Sequence, residues 1–401
     1  MWNPDFASAM PEFYPPKPSG FWSAVIEPIR KYYLRHVYKI ASIDVKNREN
    51  LAVISPEDGV LVAPNHSHDS DPHVMLDVAR QFGRQPYAMA AWQIFQMHGG
   101  IDGFFLQRMG AYSVDREGCD RRSMKQTIEL LTSGKSVIVF PEGEVYRLNE
   151  RLTPLREGVA FMAASAQRDL DKDKAERKVW IVPTCIRYRY VDPILPLLEE
   201  AMTGLEQRMM LSPGAGKPLA DRIVRFGEVL LTIKEKETLG HSRESDGDMP
   251  SRIKHLIQHL LGTLEEKYLH KLMDDESVPV RVKTLRRHLI ETGIAQPKTD
   301  AAANRAITDA LAQVQLALQL FSYPGDYLSS NPTLERMAET IEKYEEDVLG
   351  VAWPKGRRKA TVMFGQPIDV KAQLTTSRAR AAAGELTEKM EHEIQSLMKS
   401  P

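Results

Sequence analysis

Hydrophobic and polar positions alternate with two different periods along the first half of the chain. Between about residues 45 and 190, short apolar runs typical of buried strands alternate with amphipathic helical segments. The predicted strands lie at 59–63, 85–90, 111–114, 136–140 and 179–187. The predicted helices lie at 73–81, 92–98, 123–132 and 158–167. This alternation predicts an α/β layered domain with a largely parallel sheet.

Beyond residue 192 the pattern becomes mainly helical. After a Pro/Gly linker at 211–217, the spacing of apolar residues predicts helices at 252–269, 280–292, 301–321 and 334–349. Runs rich in β-branched residues predict strands at 222–231 and 359–370, and a last helix follows at 385–398. The octapeptides 223–230 and 361–368 resemble each other. This similarity indicates two similar strand–loop–helix units, or it is a coincidence.

These patterns predict four parts. Residues 1–44 form an N-terminal arm and an amphipathic helix, and residues 45–235 form the α/β domain. Residues 236–350 form a helical region, and residues 351–401 form a strand–helix unit that packs back on the core.

The segment 21–40 is the candidate for contact with a membrane. It predicts a helix, kinked near Pro28, with one apolar face and one face carrying basic residues and a single acid, Glu27. A basic amphipathic helix with aromatic residues suits a membrane interface. A helix docked on the following domain, with its basic face in solvent, explains the same pattern equally well.

Composition narrows the protein classes. The 401 residues are 42% hydrophobic and 27% charged, as in ordinary globular proteins, and the formal net charge of −1 provides no basic field for nucleic acid. Cys119 and Cys185 form neither a metal motif nor a disulfide framework. No apolar run of about 18 residues and no signal-peptide pattern occurs, so we expect a cytoplasmic protein, peripheral to the membrane, without a transmembrane helix.

The segment 64–73, Pro-Asn-His-Ser-His-Asp-Ser-Asp-Pro-His, follows a predicted strand and precedes a predicted helix. His66 can act as a general base toward an alcohol, and Asp71 can orient its ring. Asp71 before Pro72 also fits a helix N-cap, which is compatible with such pairing. The crowded carboxylates and histidines raise the alternative of a metal site. The order of residues after His68 does not match the binuclear hydrolase pattern, so we expect no metal.

Two further segments supply candidate binding residues. At 137–144 a strand runs into Pro-Glu-Gly, where Glu142 can accept hydrogen bonds from an acceptor and Gly143 permits close approach of the backbone. At 110–116 a short strand ends near Arg116, whose planar guanidinium suits phosphate. Each segment by itself is also compatible with an ordinary turn or a surface arginine.

Together, in this order, the segments resemble the glycerophospholipid acyltransferase superfamily, which includes the 1-acyl-glycerol-3-phosphate acyltransferases. The block His-x4-Asp matches His66 to Asp71, and Gly-x-x-Phe-Ile-x-Arg matches 110–116 with Ser113 in the Phe position and Val114 in the Ile position. Phe-Pro-Glu-Gly-Thr matches 140–144 with Glu144 in place of Thr, and the hydrophobic-Pro pair matches 182–183. The resemblance covers about residues 45–235.

The resemblance implies a role for each matching residue. His66 would be the general base and Asp71 its partner, and Arg116 would bind the acceptor phosphate. Glu142 and Gly143 would shape the acceptor site, and Pro183 would support the acyl-donor side. No metal or organic cofactor is implied, and acyl-CoA or acyl-carrier protein would be the co-substrate.

The expected function is therefore O-acyl transfer to a lysophospholipid or glycerol-phosphate hydroxyl in phospholipid synthesis. The family often has Arg directly after the Thr of its third block, whereas this chain has Glu144 followed by Val145. An acceptor other than 1-acyl-glycerol 3-phosphate is thus one alternative. A non-catalytic membrane-binding module with the same fold is another. The expected partners are a lipid acceptor, an acyl thioester and a membrane surface, and the oligomeric state stays open.

Overall fold

The computed structural model describes residues 11–81, 85–118, 120–214, 216–243, 247–295, 300–374 and 379–400. Residues 1–10 of the predicted arm and Cys119 lie outside this part of the chain. The described residues divide into two compact units. The sheet unit contains residues 11–115, 120–194 and 354–400, and the helical unit contains residues 195–353 and the segment 116–118.

Within the described residues, eight strands form one sheet. They are β1 (Ile40–Lys46), β2 (Gly59–Pro64), β3 (Pro86–Ala91), β4 (Ala111–Val114), β5 (Ser136–Ile138), β6 (Val179–Tyr190), β7 (Arg358–Phe364) and β8 (Ile368–Asp369). The order is β1-β7-β6-β2-β5-β3-β4, with β8 paired to β6. All of these pairs are parallel except β6 with β7 and β6 with β8. The predicted α/β fold with a largely parallel sheet is confirmed.

The sheet unit contains α1 (Gly20–Tyr32, continued by a π turn at Tyr33–Val37), α2 (Asp71–Gln81), α3 (Trp92–Gln96), α4 (Ile101–Arg108), α5 (Arg121–Thr132) and α6 (Gly158–Lys172). The helical unit contains α7 (Leu195–Arg208), α8 (Leu219–Leu239), α9 (Met249–Leu264, continued by a π turn at Glu265–Leu269), α10 (Val278–Ala295), α11 (Ala301–Phe321) and α12 (Leu334–Leu349). Helices α13 (Val370–Gln373) and α14 (Ala379–Lys399) return to the sheet unit. Short 3-10 turns lie at Arg48–Val53 and Met97–Gly100.

The sheet separates two hydrophobic cores, because successive strand residues point to opposite faces. Leu61 and Ile181 lie in the core that α5, α6 and α14 cover, whereas Val60 and Val182 lie in the core on the α2 side. The C-terminal residues complete this arrangement, since β7 lies between β1 and β6 and α14 packs against α6.

The strand predicted at 222–231 is wrong, because these residues lie within α8. The buried residues Leu219, Arg222, Ile223 and Phe226 lie at positions i, i+3, i+4 and i+7, which is one face of a helix. Gly227 gives room for Tyr344, whose Oη would lie 2.4 Å from an added Cβ. The similarity between 223–230 and 361–368 is therefore a coincidence, because the second segment is in β7 and its continuation.

Several elements differ in extent from the predictions. The first helical segment ends at Val37 instead of residue 40, because Lys39 adopts a left-handed conformation (φ +52°) and Ile40 begins β1. Pairing with β7 explains β1, which the local pattern did not predict. Helices α4 and α7 were also not predicted. Since α7 and α8 belong to the helical unit, that unit begins before the predicted domain boundary at 235.

The helical unit contains a repeated ion pair. The fourth residue of α8, α9 and α10 is an arginine, and each pairs at 2.7 Å with a glutamate of the preceding helical segment. The pairs are Arg222–Glu206, Arg252–Glu235 and Arg281–Glu265. Each glutamate also accepts the backbone N–H of the residue eight positions later. Three successive helix–loop–helix units thus share one buried hydrogen-bond pattern.

Removing the glutamate of such a pair leaves the buried arginine without its nearest counterion. For Arg281 the next carboxylate is that of Asp274, which is exposed and 3.6 Å away. We expect Glu265→Ala to lower the free energy of unfolding by about 3–5 kcal/mol, because Arg281 is fully buried. Chemical denaturation followed by circular dichroism measures the change. Glu291→Ala is the matched control, since Glu291 pairs with Arg287 on the surface and should cost at most about 0.5 kcal/mol. Equal losses in the two variants would contradict this prediction.

Candidate active site

The parallel strands bring two of the sequence blocks to one edge of the sheet. Strands β2 and β5 are neighbours in register, with Val62 opposite Ile138. Their carboxyl ends therefore lie side by side, and such ends are where sites collect in α/β sheets. His66 follows β2 by two residues, and Glu142 follows β5 by four.

His66 and Asp71 form the predicted pair. Nδ1 of His66 lies 3.0 Å from Oδ2 of Asp71. Asp71 is fully buried, whereas the His66 side chain is 15% exposed. The imidazole stacks on Phe140 with ring centroids 4.0 Å apart, which fixes the plane of the ring. Asp71 is also the first residue of α2, so the helix start and the pairing with His66 coexist.

The Asp71 carboxylate has three hydrogen-bond partners. Its Oδ2 accepts the backbone N–H of His68 at 2.8 Å and faces the His66 ring. Its Oδ1 accepts from the hydroxyl of Tyr188 at 2.5 Å. A carboxylate without water needs such donors, because burying an unpaired charge is costly. Tyr188 comes from β6 and lies outside the sequence blocks, so only the fold identifies it.

Glu142 supports the loop that carries His66. Its Oε1 accepts the backbone N–H of His66 at 2.6 Å, and its Oε2 accepts the N–H of Thr153 at 3.1 Å and the Thr153 hydroxyl. Glu142 is buried, so these donors take the place of water around its carboxyl group. The sequence predicted Glu142 as part of an acceptor site, and the structure shows it as a bridge between two loops.

Gly143 adopts a left-handed conformation with φ +76°. A Cβ at this position would lie 2.3 Å from Nε of Arg156, so a side chain would collide with the guanidinium. Glycine thus serves both the turn and the close approach of a cation to it. Arg147 lies on the same loop and forms an ion pair with Asp69 at 2.9 Å.

Two asparagines attach β6 to the site loops. Asn65 uses both ends of its amide on the backbone of Ile186, at 2.6 and 3.1 Å. Asn149 does the same on Tyr188, at 2.7 and 3.0 Å. Both asparagines are buried, which makes these bonds hard to exchange with water. The loops after β2 and β5 are therefore fixed relative to each other through β6.

The remaining predicted residues lie on other strands. Pro183 is buried in β6, opposite Ala63 of β2, and its carbonyl accepts the N–H of Gly365 at 2.8 Å. Arg116 follows β4, which β3 separates from β5, and it belongs to the segment grouped with the helical unit. Its role in phosphate binding and the role of Pro183 on the acyl-donor side stay predictions. Among the described residues, no three potential metal ligands of the His, Cys, Asp and Glu types are grouped as a metal site.

Comparison with known proteins agrees with this geometry. Residues 42–187 match the family model described as Acyltransferase. A stretch of 131 residues is 34% identical to a protein of Bacillus subtilis (strain 168) named 1-acyl-sn-glycerol-3-phosphate acyltransferase. This match covers 32% of the chain and 59% of that relative's length. This region, which carries His66, Asp71, Glu142 and Gly143, thus resembles an acyltransferase domain.

The buried position of Glu142 makes one pH dependence of stability measurable. Burial raises the pKa of Glu142 to about 7, against hydrogen bonds that lower it. The folded protein therefore holds a proton that the unfolded chain releases near its ordinary pKa of 4.5. The stability contributed by this proton is complete below about pH 4.5 and is lost as the pH rises through about 7.

We expect Glu142→Gln, which does not titrate, to gain stability relative to the wild type by up to about 3 kcal/mol between these two pH values. Denaturant unfolding at a series of pH values measures the difference. Glu57→Gln, a matched change at an exposed position of the same unit, should show a constant difference. A difference for Glu142→Gln that stays constant over this range would show that Glu142 is already ionised in the folded protein.

Proposed function

We propose that this protein is an O-acyltransferase. It moves a fatty acyl group from acyl-CoA or acyl-carrier protein to the hydroxyl of a lysophospholipid or glycerol-phosphate acceptor, most simply that of 1-acyl-sn-glycerol 3-phosphate. The observation that carries the proposal is the oriented pair of His66 and Asp71 within an acyltransferase domain. The name of the Bacillus subtilis relative supports the choice of acceptor.

The geometry suits general-base catalysis. Because Nδ1 of His66 faces the Asp71 carboxylate, Nε2 is the nitrogen that takes the proton of the acceptor hydroxyl. The hydroxyl oxygen then attacks the thioester carbonyl carbon, the C–S bond breaks, and the thiolate receives the proton from His66. The products are an ester and a free thiol. This sequence needs neither a covalent acyl-enzyme nor a cofactor.

Positive charge near the Glu142–Gly143 turn supports an acceptor that carries phosphate. Val145 stands where the family often has arginine, but Arg156 lies against Gly143 and Arg147 is on the same loop. Arginine is well suited to phosphate because its donors form a planar fork. The pairing of Arg147 with Asp69 means that a phosphate at this guanidinium competes with a carboxylate, which is the reason to test other lysolipids.

We expect His66→Ala to lower kcat for acyl transfer by at least about 100-fold, since general-base catalysis contributes about 10²–10⁴ in rate. The assay measures transfer of a labelled acyl group to 1-acyl-sn-glycerol 3-phosphate, other lysophospholipids and glycerol 3-phosphate, with acyl-CoA and with acyl-carrier protein. His241→Ala, at an exposed histidine of the helical unit, is the matched control and should retain activity.

Wild-type turnover in the folded His66→Ala variant would refute the assignment of the base. Preference for a lysolipid without a terminal phosphomonoester would replace the proposed acceptor and keep the reaction. Failure of every acceptor and donor would favour a non-catalytic membrane-binding module. The intact His66–Asp71 pair argues against that module, because membrane binding does not need an oriented imidazole.

We also propose that α1 binds the surface of a membrane. Its large exposed side chains, spaced by three or four residues, form an outward stripe of Phe21, Val25, Ile29 and Tyr32. Its inward residues include Arg30, which is buried, donates to the carbonyl of His73 at 2.9 Å and pairs with Glu27 and Asp77. The apolar side of α1 therefore faces away from the domain, and packing within the described unit leaves it exposed.

The neighbouring helix extends this apolar surface. Trp22 of α1 packs edge-on against Phe104 of α4 at 5.2 Å, and Ile101 of α4 is 58% exposed. Basic side chains accompany the patch: Arg108 lies 4.6 Å from the Phe104 ring centroid, and Lys31 and Arg35 are exposed on α1 and the π turn after it. Apolar side chains beside basic ones fit the interface of a bilayer with anionic lipids. Within the described residues, no helix is both long and apolar enough to cross a membrane.

We expect Val25→Glu to reduce binding to vesicles of phosphatidylcholine and phosphatidylglycerol at least about tenfold, because a charge in the apolar stripe must be desolvated on insertion. Co-sedimentation measures binding. Val53→Glu is the matched control, since Val53 is also an exposed valine but lies in the 3-10 turn after β1. Unchanged binding of the Val25 variant would contradict the assignment of this surface.

A further inference from the structure

Tyr188 has a position that none of the sequence blocks explains. It lies in the carboxyl-terminal half of β6 and is 3% exposed, so its side chain is not available to contact a substrate. Its hydroxyl lies 2.5 Å from Oδ1 of Asp71 and 2.9 Å from Oγ of Ser70. Because an ionised carboxylate can only accept, the phenolic proton points to Asp71 and the phenolic oxygen accepts from Ser70.

We propose that Tyr188 is a positioning residue for acyl transfer, which holds the Asp71 carboxylate so that Oδ2 faces Nδ1 of His66. The inference rests on the function proposed above. The two oxygens of Asp71 have separate partners: Oδ2 has the His66 ring and the His68 N–H, and Oδ1 has the Tyr188 hydroxyl. Without Tyr188, Oδ1 loses this donor inside the protein and the carboxylate can rotate away from His66.

The backbone and ring of Tyr188 are held by residues outside the loop that carries His66. Asn149 binds both backbone groups of Tyr188, and Ala360 of β7 is its partner across the sheet. The guanidinium of Arg358 lies 5.2 Å from the centre of the Tyr188 ring, a cation–π distance. The sheet therefore fixes the position of the Tyr188 phenol, and the hydrogen bond from this phenol fixes the position of the Asp71 carboxylate.

Tyr188 acts through its position and not as an acid. Burial and the adjacent Asp71 carboxylate raise the pKa of Tyr188 well above its ordinary value, so it keeps its proton at working pH. His68 extends the same set of bonds, with Nδ1 2.9 Å from Oγ of Ser70. Burial lowers the pKa of His68 well below its ordinary value, so this ring stays neutral and adds no charge.

The test removes one oxygen and keeps the ring. We expect Tyr188→Phe to lower kcat by roughly 10- to 100-fold, the value of one hydrogen bond to a charged group, and to leave KM for donor and acceptor within about twofold. Tyr112→Phe is the matched control: Tyr112 is fully buried in the same unit, and its hydroxyl bonds Thr127 at 2.6 Å. Equal kcat losses in the two variants would show a general effect of deleting a buried hydroxyl.

A double-mutant cycle tests whether Tyr188 works through Asp71. If it does, Tyr188→Phe has no further effect on kcat in an Asp71→Asn background, because the carboxylate it orients is absent. If the two losses multiply, the proposal is overturned. The absence of a further loss cannot come from a merely structural role, because a weakened fold would lower kcat in the wild-type and Asp71→Asn backgrounds alike.

A measurement without turnover separates this inference from the proposed function. In protein with ¹⁵N-labelled histidine, the His66 Nδ1–H bonded to Asp71 gives a downfield proton resonance, assigned by its loss in His66→Ala. We expect Tyr188→Phe to shift or broaden this resonance and Tyr112→Phe to leave it in place. An unchanged resonance in Tyr188→Phe overturns the positioning role, whether or not the wild type transfers acyl groups.

Discussion

The arrangement of the site depends on the buried carboxylate of Asp71. A charge with no exposure must be surrounded by donors, and the fold supplies them from a backbone N–H, the His66 ring and the Tyr188 hydroxyl. These donors belong to different parts of the chain, so satisfying the carboxylate also fixes the loop of His66 against β6. The cost of leaving any donor out is what makes the geometry specific.

Glu142, after the neighbouring strand β5, also fixes the His66 loop through the donors that its carboxyl group binds. It binds the His66 backbone from the loop after β5, and Asn65 and Asn149 bind the backbone of β6. The loops that carry His66 and Glu142 are thus joined to each other and to β6 mainly through main-chain groups. A side chain that holds another segment's backbone is sensitive to register, which explains why a parallel sheet with fixed neighbours is a suitable support for this chemistry.

The helical unit shows where local pattern is an unreliable guide. The segment 222–231 is rich in β-branched and apolar residues, as strands are, yet it lies in α8. Two tertiary contacts stabilise the helix there: Arg222 pairs with Glu206, and Phe226 packs on Tyr344. The real repeat of this unit consists of glutamate–arginine pairs 16 or 17 residues apart. A comparison of octapeptides cannot detect this repeat, because only the glutamate and the arginine recur and the residues between them differ.

The sequence by itself determined the α/β class, most strands of the parallel sheet, the long helices α11 and α12, and the candidates His66, Asp71, Glu142 and Gly143. These follow from periodicity and from motifs whose residues are close along the chain. Only the tertiary structure decided that β7 inserts between β1 and β6, that the apolar side of α1 faces outward, and that Tyr188 completes the Asp71 site. Those features join residues more than a hundred positions apart or depend on which face is covered, and local patterns carry no information on either.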